Sequence, residues 1–149
     1  MTTKKTFILG VGAQKAGTTW LYKYIKNDPK ANLGLLKEYH FWNAAFSASG
    51  KINKKKKTLM NKPHQELNSA ELLRWTMLKV NNYYQIYFNS LINEGYQITG
   101  DLTPQHGRLR ADRIKYIRDS LEDFGFTVKV IFLIRDPVER IWSNVRMEK

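Results

Sequence analysis

An apolar run that ends in a glycine-containing loop and resumes as an amphipathic helix is compatible with few folds, and one stands at the head of this chain. Thr6 to Val11 (TFILGV) reads as a short buried strand. Thr18 to Lys26 reads as a helix whose Trp20, Leu21, Tyr24 and Ile25 share one apolar face, and Asn27-Asp28-Pro29 stops it. Between them lies Gly12-Ala13-Gln14-Lys15-Ala16-Gly17-Thr18-Thr19. This has the spacing of the phosphate-binding loop G-x-x-x-x-G-K-[ST], except that Thr18 stands in place of the lysine, which sits inside the loop at Lys15. A glycine-rich turn leaves backbone N–H groups pointing inward, and the helix that follows adds the positive end of its dipole. Such a nest suits a phosphate. The absence of lysine at 18 argues against ordinary ATP or GTP hydrolysis, and the dinucleotide pattern G-x-G-x-x-G fails because its third glycine falls on Lys15.

The rest of the chain alternates in the same way. Ala31 to Leu36 reads as a second strand, and residues 44 to 68, with Lys51 and Lys54 to Lys57, as a mobile basic loop. A long helix is expected from Ser69 to Asn93, with Leu73, Met77, Val80, Tyr84, Tyr87 and Leu91 as its buried stripe. Asn68 and Glu71 have capping-box spacing, and Gly95 closes the helix. Tyr96 to Gly100 reads as a strand, Leu109 to Phe124 as a helix and Thr127 to Ile134 (TVKVIFLI) as a central parallel strand. A last helix starts near Val138, with Val138, Ile141, Trp142 and Val145 on one face. Strands alternating with helices predict an α/β domain around a parallel sheet.

Composition narrows the chemistry. Lys and Arg number 25 against 13 Asp and Glu, a formal net charge of +12 that attracts anions. Nucleic acid, an anionic polysaccharide and a polyphosphate nucleotide all fit, and charge does not choose among them. There is no cysteine, and His40, His64 and His106 show no ligand spacing, so no metal is expected. No apolar run approaches the roughly 18 residues of a membrane span, and nothing reads as an export signal, so a cytoplasmic location is expected.

Three segments resemble the sulfotransferase family that uses 3'-phosphoadenosine 5'-phosphosulfate. Gln14 to Leu21 (QKAGTTWL) resembles its 5'-phosphosulfate loop, Lys37 to Trp42 (KEYHFW) the Lys-Glu-x-His-Phe-Phe stretch of heparan-sulfate-type and bacterial members, and Ile134 to Ser143 (IRDPVERIWS) its 3'-phosphate motif. They occur in the family's order and span nearly the whole chain. The resemblance implies a P-loop-like three-layer fold and transfer of a sulfuryl group to a hydroxyl or amine acceptor, carbohydrate or other. It implies that Lys15 meets the 5'-phosphate and bridging oxygen, and that Gly17, Thr18 and Thr19 hold the 5'-phosphate, with Gln14, Ala16 and Trp20 beside them. Arg135 and Ser143 bind the 3'-phosphate in that scheme. Glu38 is the implied base, with His40 next and His106 third.

Two departures shape the expectations. Asp101-Leu102-Thr103-Pro104 resembles the family's Glu-Lys-Thr-Pro segment, but Leu102 replaces a lysine often used near the sulfate, so charge stabilisation there is expected to be weaker or to come from elsewhere, with Lys37 one candidate. Family members are usually longer, so residues 1–149 are expected to form an N-terminal, cofactor-binding part. Its sheet would be incomplete at the C-terminal side, its cofactor binding poor and its turnover slow or absent, and the chain would be marginally stable or self-associate through its uncovered apolar surface. The rival readings are a nucleotide kinase or NTPase with a phosphate loop, and a basic nucleic-acid-binding protein without catalysis.

Overall fold

In the computed structural model, residues 4–147 are described; Met1 to Thr3, Glu148 and Lys149 lie outside them. Three strands form one parallel sheet in the order β2-β1-β3, with β1 at Thr6–Gly10, β2 at Ile98–Asp101 and β3 at Thr127–Ile131. Thr6 is in register with Ile98 on one side and with Thr127 on the other. The mixed α/β class and the parallel sheet agree with the sequence reading. The central strand is β1, however, and β3 lies at an edge of the described sheet, with Lys129 and Val130 exposed. An apolar, β-branched run fits either place; pairing partners decide between them.

Alternation along β1 divides the interior in two. Phe7 and Leu9 enter the larger core with Met77 of α4 (Ser69–Lys79), Tyr84 and Phe88 of α5 (Tyr83–Asn93), and Ile117 and Leu121 of α6 (Ala111–Glu122). Ile8 faces the opposite way, against a smaller cluster of Leu21 and Ile25 from α1 (Thr18–Lys26) with Ala31, Leu33 and Leu102. The larger core is aromatic: Phe7 and Phe88 meet edge to face with centroids 4.9 Å apart, and Tyr39 packs edge-on to Phe88 at 4.8 Å. Such pairs add about 0.5–1.5 kcal/mol beyond their buried area.

Several expected elements differ. The long helix is two, because Val80 turns extended and Asn82 adopts the left-handed conformation at φ 58°. Periodicity runs through such a break and so conceals it. The expected capping box is present: Asn68 Oδ1 accepts from the Glu71 N–H at 3.0 Å, and Glu71 Oε2 accepts from the Asn68 N–H at 3.1 Å. The stretch 44–68 is not a loop; it holds α3 (Gly50–Asn61) and a 3-10 turn at His64–Glu66. Lysine is a good helix former, and an exposed helix needs no apolar period. Ala31 contributes only an isolated parallel bridge to Ile98, so there is no strand at Ala31 to Leu36. Trp20 and Tyr24 do not share Ile25's buried side but stack on each other in solvent, 66% and 68% exposed.

A short helix α2 (Phe41–Ala45) carries Phe41 and Trp42 into the larger core. The last helix, α7 (Pro137–Val145), opens with Pro137 in its first turn and is capped by Asp136, whose Oδ1 accepts from the Glu139 N–H at 3.0 Å. Its apolar face of Val138, Ile141, Trp142 and Val145 is exposed. Among the described residues no helix is long and apolar enough to cross a membrane.

Candidate functional site

Because all three strands are parallel, their C-terminal ends share one edge of the sheet. The chain passes from β1 to β2 on one side and then crosses over β1 to β3 on the other, so the loop after β1 lies between the loops after both neighbours, and open α/β sheets bind ligands outside the carboxyl ends of their strands. Three segments meet there: the loop 11–17 after β1, Leu102 and Thr103 after β2, and residues 132–136 after β3.

The loop after β1 is held as an extension of the sheet. The Val11 N–H donates to Ile131 O at 2.9 Å, the Ala13 N–H to Leu133 O at 3.2 Å, and the Leu133 N–H to Gly12 O at 2.8 Å. The chain then turns into α1 through Gly17 at φ 100°, a conformation that selects glycine because a Cβ would be strained there. The N–H groups of Gln14, Lys15, Gly17, Thr18, Thr19 and Trp20 have no acceptor among the described residues. Gly17 caps α1 without a side-chain hydrogen bond. The result is a row of unpaired donors at a helix N-terminus, the local field that favours an anion. Lys15 stands within this row at φ 63°, an uncommon conformation for a side chain other than glycine or asparagine.

Arg135 joins the far side of the sheet to this loop. Its Nη1 donates to Lys15 O at 3.2 Å, and its Nη2 pairs with Glu139 Oε2 at 2.7 Å. The loop contact and the local ion pair therefore coexist. Arg108 also reaches the loop, donating from Nη2 to Gln14 Oε1 at 3.1 Å; nothing in the sequence reading had marked it. Ser143 is half-buried on α7, and no hydrogen bond joins its side chain to the loop. Ala16 is half-buried, and Trp20 projects from the first turn of α1 beside Thr19.

A polar chain runs from α1 to the turn at residues 37–40. Lys37 Nζ donates to Thr19 Oγ1 at 2.7 Å and to Glu38 Oε1 at 3.0 Å. The second Glu38 oxygen lies 3.2 Å from His40 Nε2. His40 and then Lys37 hold the Glu38 carboxyl at a pKa of about 2, against the opposing effect of partial burial. Lys37 thus puts a cation against the first turn of α1. Leu102 itself is buried in the smaller core and carries nothing to the surface. His40 adopts φ 57° and turns to Glu38.

This turn is fastened from below by residues the sequence reading did not assign. Thr103 Oγ1 donates to Asp101 Oδ1 at 2.6 Å and accepts from the N–H groups of Tyr39 at 3.0 Å and His40 at 3.3 Å. Asp101 Oδ1 also accepts from the Thr103 N–H, and Oδ2 from the Tyr84 hydroxyl, both at 3.0 Å. Arg74 donates to the carbonyls of Glu38 and Tyr39 at 2.9 and 3.0 Å. Asp101, Thr103 and Tyr84 are fully buried. The one signal in the sequence was the Asp101-to-Pro104 segment.

His106, the third candidate base, lies away from the surface. Its ring is fully buried in a 3-10 turn at Pro104–Arg108, with Nδ1 3.1 Å from Gly10 O, and burial lowers its pKa.

The chain matches no protein-family model, no curated protein and no solved structure.

Proposed function

We propose that this chain is a sulfotransferase, or the nucleotide-binding part of one, that moves a sulfuryl group from 3'-phosphoadenosine 5'-phosphosulfate to a hydroxyl or amine. Its fold in this reading is P-loop-like, with helices on both faces of the sheet. The observation that carries the reading is the row of unpaired N–H groups between Gln14 and Trp20, with Lys15 in the loop, Lys37 on Thr19 and Arg135 on the Lys15 carbonyl. The three sequence resemblances fall on these groups, and two of them are joined to the loop by hydrogen bonds.

In the proposed reaction the acceptor oxygen or nitrogen attacks sulfur. The bond from sulfur to the oxygen shared with the 5'-phosphate breaks, and the acceptor's proton passes to the Glu38 carboxylate. Lys15 and the loop N–H groups meet the charge that collects on the departing phosphate, the kind of electrostatic contribution that is usually the largest. Glu38 with a pKa near 2 is ionised but a weak proton acceptor. His40 exerts the larger pull on this carboxylate and Lys37 the smaller, so an anion beside Thr19 that draws Lys37 away relieves only the smaller one.

Calorimetric titration with 3'-phosphoadenosine 5'-phosphate, against AMP as control, tests the binding. The 3'-phosphate nucleotide is expected to bind at least tenfold more tightly. Equal affinities, or ATP turnover that requires magnesium, would replace this reading by that of a nucleotide kinase or NTPase.

A further inference from the structure

One arginine at the phosphate loop belongs to none of the segments that marked the site in the sequence. Arg108 closes the 3-10 turn Pro104–Arg108 after β2, and its Nη2 donates to Gln14 Oε1 at 3.1 Å.

The turn that carries it is pinned to the end of β1 and to α2. His106 Nδ1 lies 3.1 Å from Gly10 O, and Asn43 Nδ2 donates to Gln105 O at 3.0 Å. A Cβ at Gly107 would run into the Val11 carbonyl, so glycine is what lets the turn lie this close to the start of the loop. Arg108 follows directly. Its backbone is placed by the fold, so that part of the ordering cost does not fall on a ligand.

The charge of Arg108 is unmatched, unlike that of its neighbours. Arg110 pairs with Asp112 at 3.2 Å, and Arg113 lies over the Phe46 ring, 4.6 Å from its centroid. Arg135, the other guanidinium on the loop, pairs with Glu139 at 2.7 Å. Arg108 has no carboxylate within ion-pair distance among the described residues; its partner there is the neutral Gln14 amide. That oxygen occupies one of several guanidinium donors. The remaining donors and the whole charge stand open beside the loop.

Cations therefore stand at both ends of the loop. Lys37 touches Thr19 at one end and Arg108 touches Gln14 at the other, with Lys15 between them and Arg135 on the Lys15 carbonyl. A lone phosphate offers too few oxygens to engage all of these together with the unpaired N–H groups from Gln14 to Trp20. Two linked anionic groups match them.

We infer that Arg108 is a specificity-determining residue of this site: it binds the outer of two linked anionic groups and so selects an anhydride-linked pair over a single phosphate. The inference rests on the phosphate-loop reading above. In the proposed reaction the outer group is the sulfuryl group, and Arg108 then meets the oxygens of the group that is transferred. A planar fork suits such oxygens, which it can engage in pairs.

The test is calorimetric titration of the full chain with inorganic pyrophosphate and with inorganic phosphate at constant ionic strength. Pyrophosphate is expected to bind about tenfold more tightly, the scale of one charge-assisted contact, and Arg108→Gln should bring that ratio down to about twofold with phosphate affinity nearly unchanged. Arg108→Lys keeps the charge but not the fork and should retain part of the ratio. Arg110→Gln removes the same group from the same segment and should leave the ratio as it is. Arg108 is exposed, so each variant should keep the native circular dichroism spectrum. The inference is overturned if pyrophosphate binds no more tightly than phosphate. It is equally overturned if Arg108→Gln leaves the ratio unchanged or weakens both anions alike, or if Arg110→Gln lowers the ratio as much. No nucleotide enters this test, so its outcome is separate from the 3'-phosphate preference that tests the proposed function.

Discussion

Thr103→Val should show how much of the candidate site is held from beneath. Valine matches threonine in shape, so the change opens no cavity; it removes one hydroxyl. That hydroxyl donates to Asp101 Oδ1 at 2.6 Å and accepts from the Tyr39 N–H at 3.0 Å, both in fully buried surroundings. Loss of an ordinary hydrogen bond costs about 1 kcal/mol, and a buried donor left unmade costs about 1–3 kcal/mol. The sum is about 2–4 kcal/mol. The more exposed His40 N–H can turn to water and adds little. Urea unfolding followed by circular dichroism measures the effect as a lower midpoint at unchanged slope. Thr103→Ser keeps the hydroxyl and loses one methyl, for about 1 kcal/mol. The reasoning fails if Thr103→Val costs under about 1 kcal/mol, or if valine and serine cost the same. Either result would mean that the turn carrying Glu38 and His40 is held by Arg74 alone.

Arg135→Ala should remove most of the preference for 3'-phosphoadenosine 5'-phosphate over AMP and spare weak AMP binding, as read by calorimetry, since the planar guanidinium fork suits a phosphate. Glu38→Gln should leave nucleotide binding nearly intact and cut sulfuryl transfer by about 10²-fold or more, the scale of general-base catalysis. If turnover is unchanged, His40 becomes the candidate base. The Glu38 carboxyl falls from 4.5 to about 2 on folding, so its stabilisation is complete above pH 4.5 and is lost as the pH drops toward 2. Acid unfolding of the native chain and of Glu38→Gln should therefore differ at pH 5 and converge near pH 2; a constant difference would exclude the ion pair as its cause. Gly100→Ala would press a Cβ into the Ile8 carbonyl on the neighbouring strand, so the thermal midpoint should fall by several degrees, equivalent to about 1–3 kcal/mol. An unchanged midpoint would argue against the β1–β2 register.

What was legible in the sequence was local. Thr6 to Lys26 announced its strand, loop and helix because the apolar run, the two glycines and the following period all lie within one window. The cap at Asn68 and the stop at Asn27 were equally plain. What escaped depends on groups far apart in the chain. Nothing near Thr103 shows that it bonds to the turn at Tyr39, and nothing in the aromatic period from Leu73 to Leu91 shows the turn at Asn82. A lysine-rich stretch lacks an apolar stripe whether it is helix or loop, so α3 left no signature. Burial of His106 follows from a contact with Gly10 across nearly a hundred residues, which no window could hold.

The parallel order β2-β1-β3 has a kinetic consequence. A hairpin can close as soon as its second strand exists, whereas β1 has no partner until Ile98–Asp101 and no second partner until Thr127–Ile131. The entropy of closing these long loops must be met before any sheet bond is made, which places the chain among slow folders dominated by distant contacts. During synthesis the loop after β1 emerges first, its N–H groups solvated, well before the segment after β3 that carries Leu133 and Arg135 to it. The loop's final geometry is therefore acquired late, and under the proposed function a nucleotide that binds only the folded form would pull the equilibrium toward it.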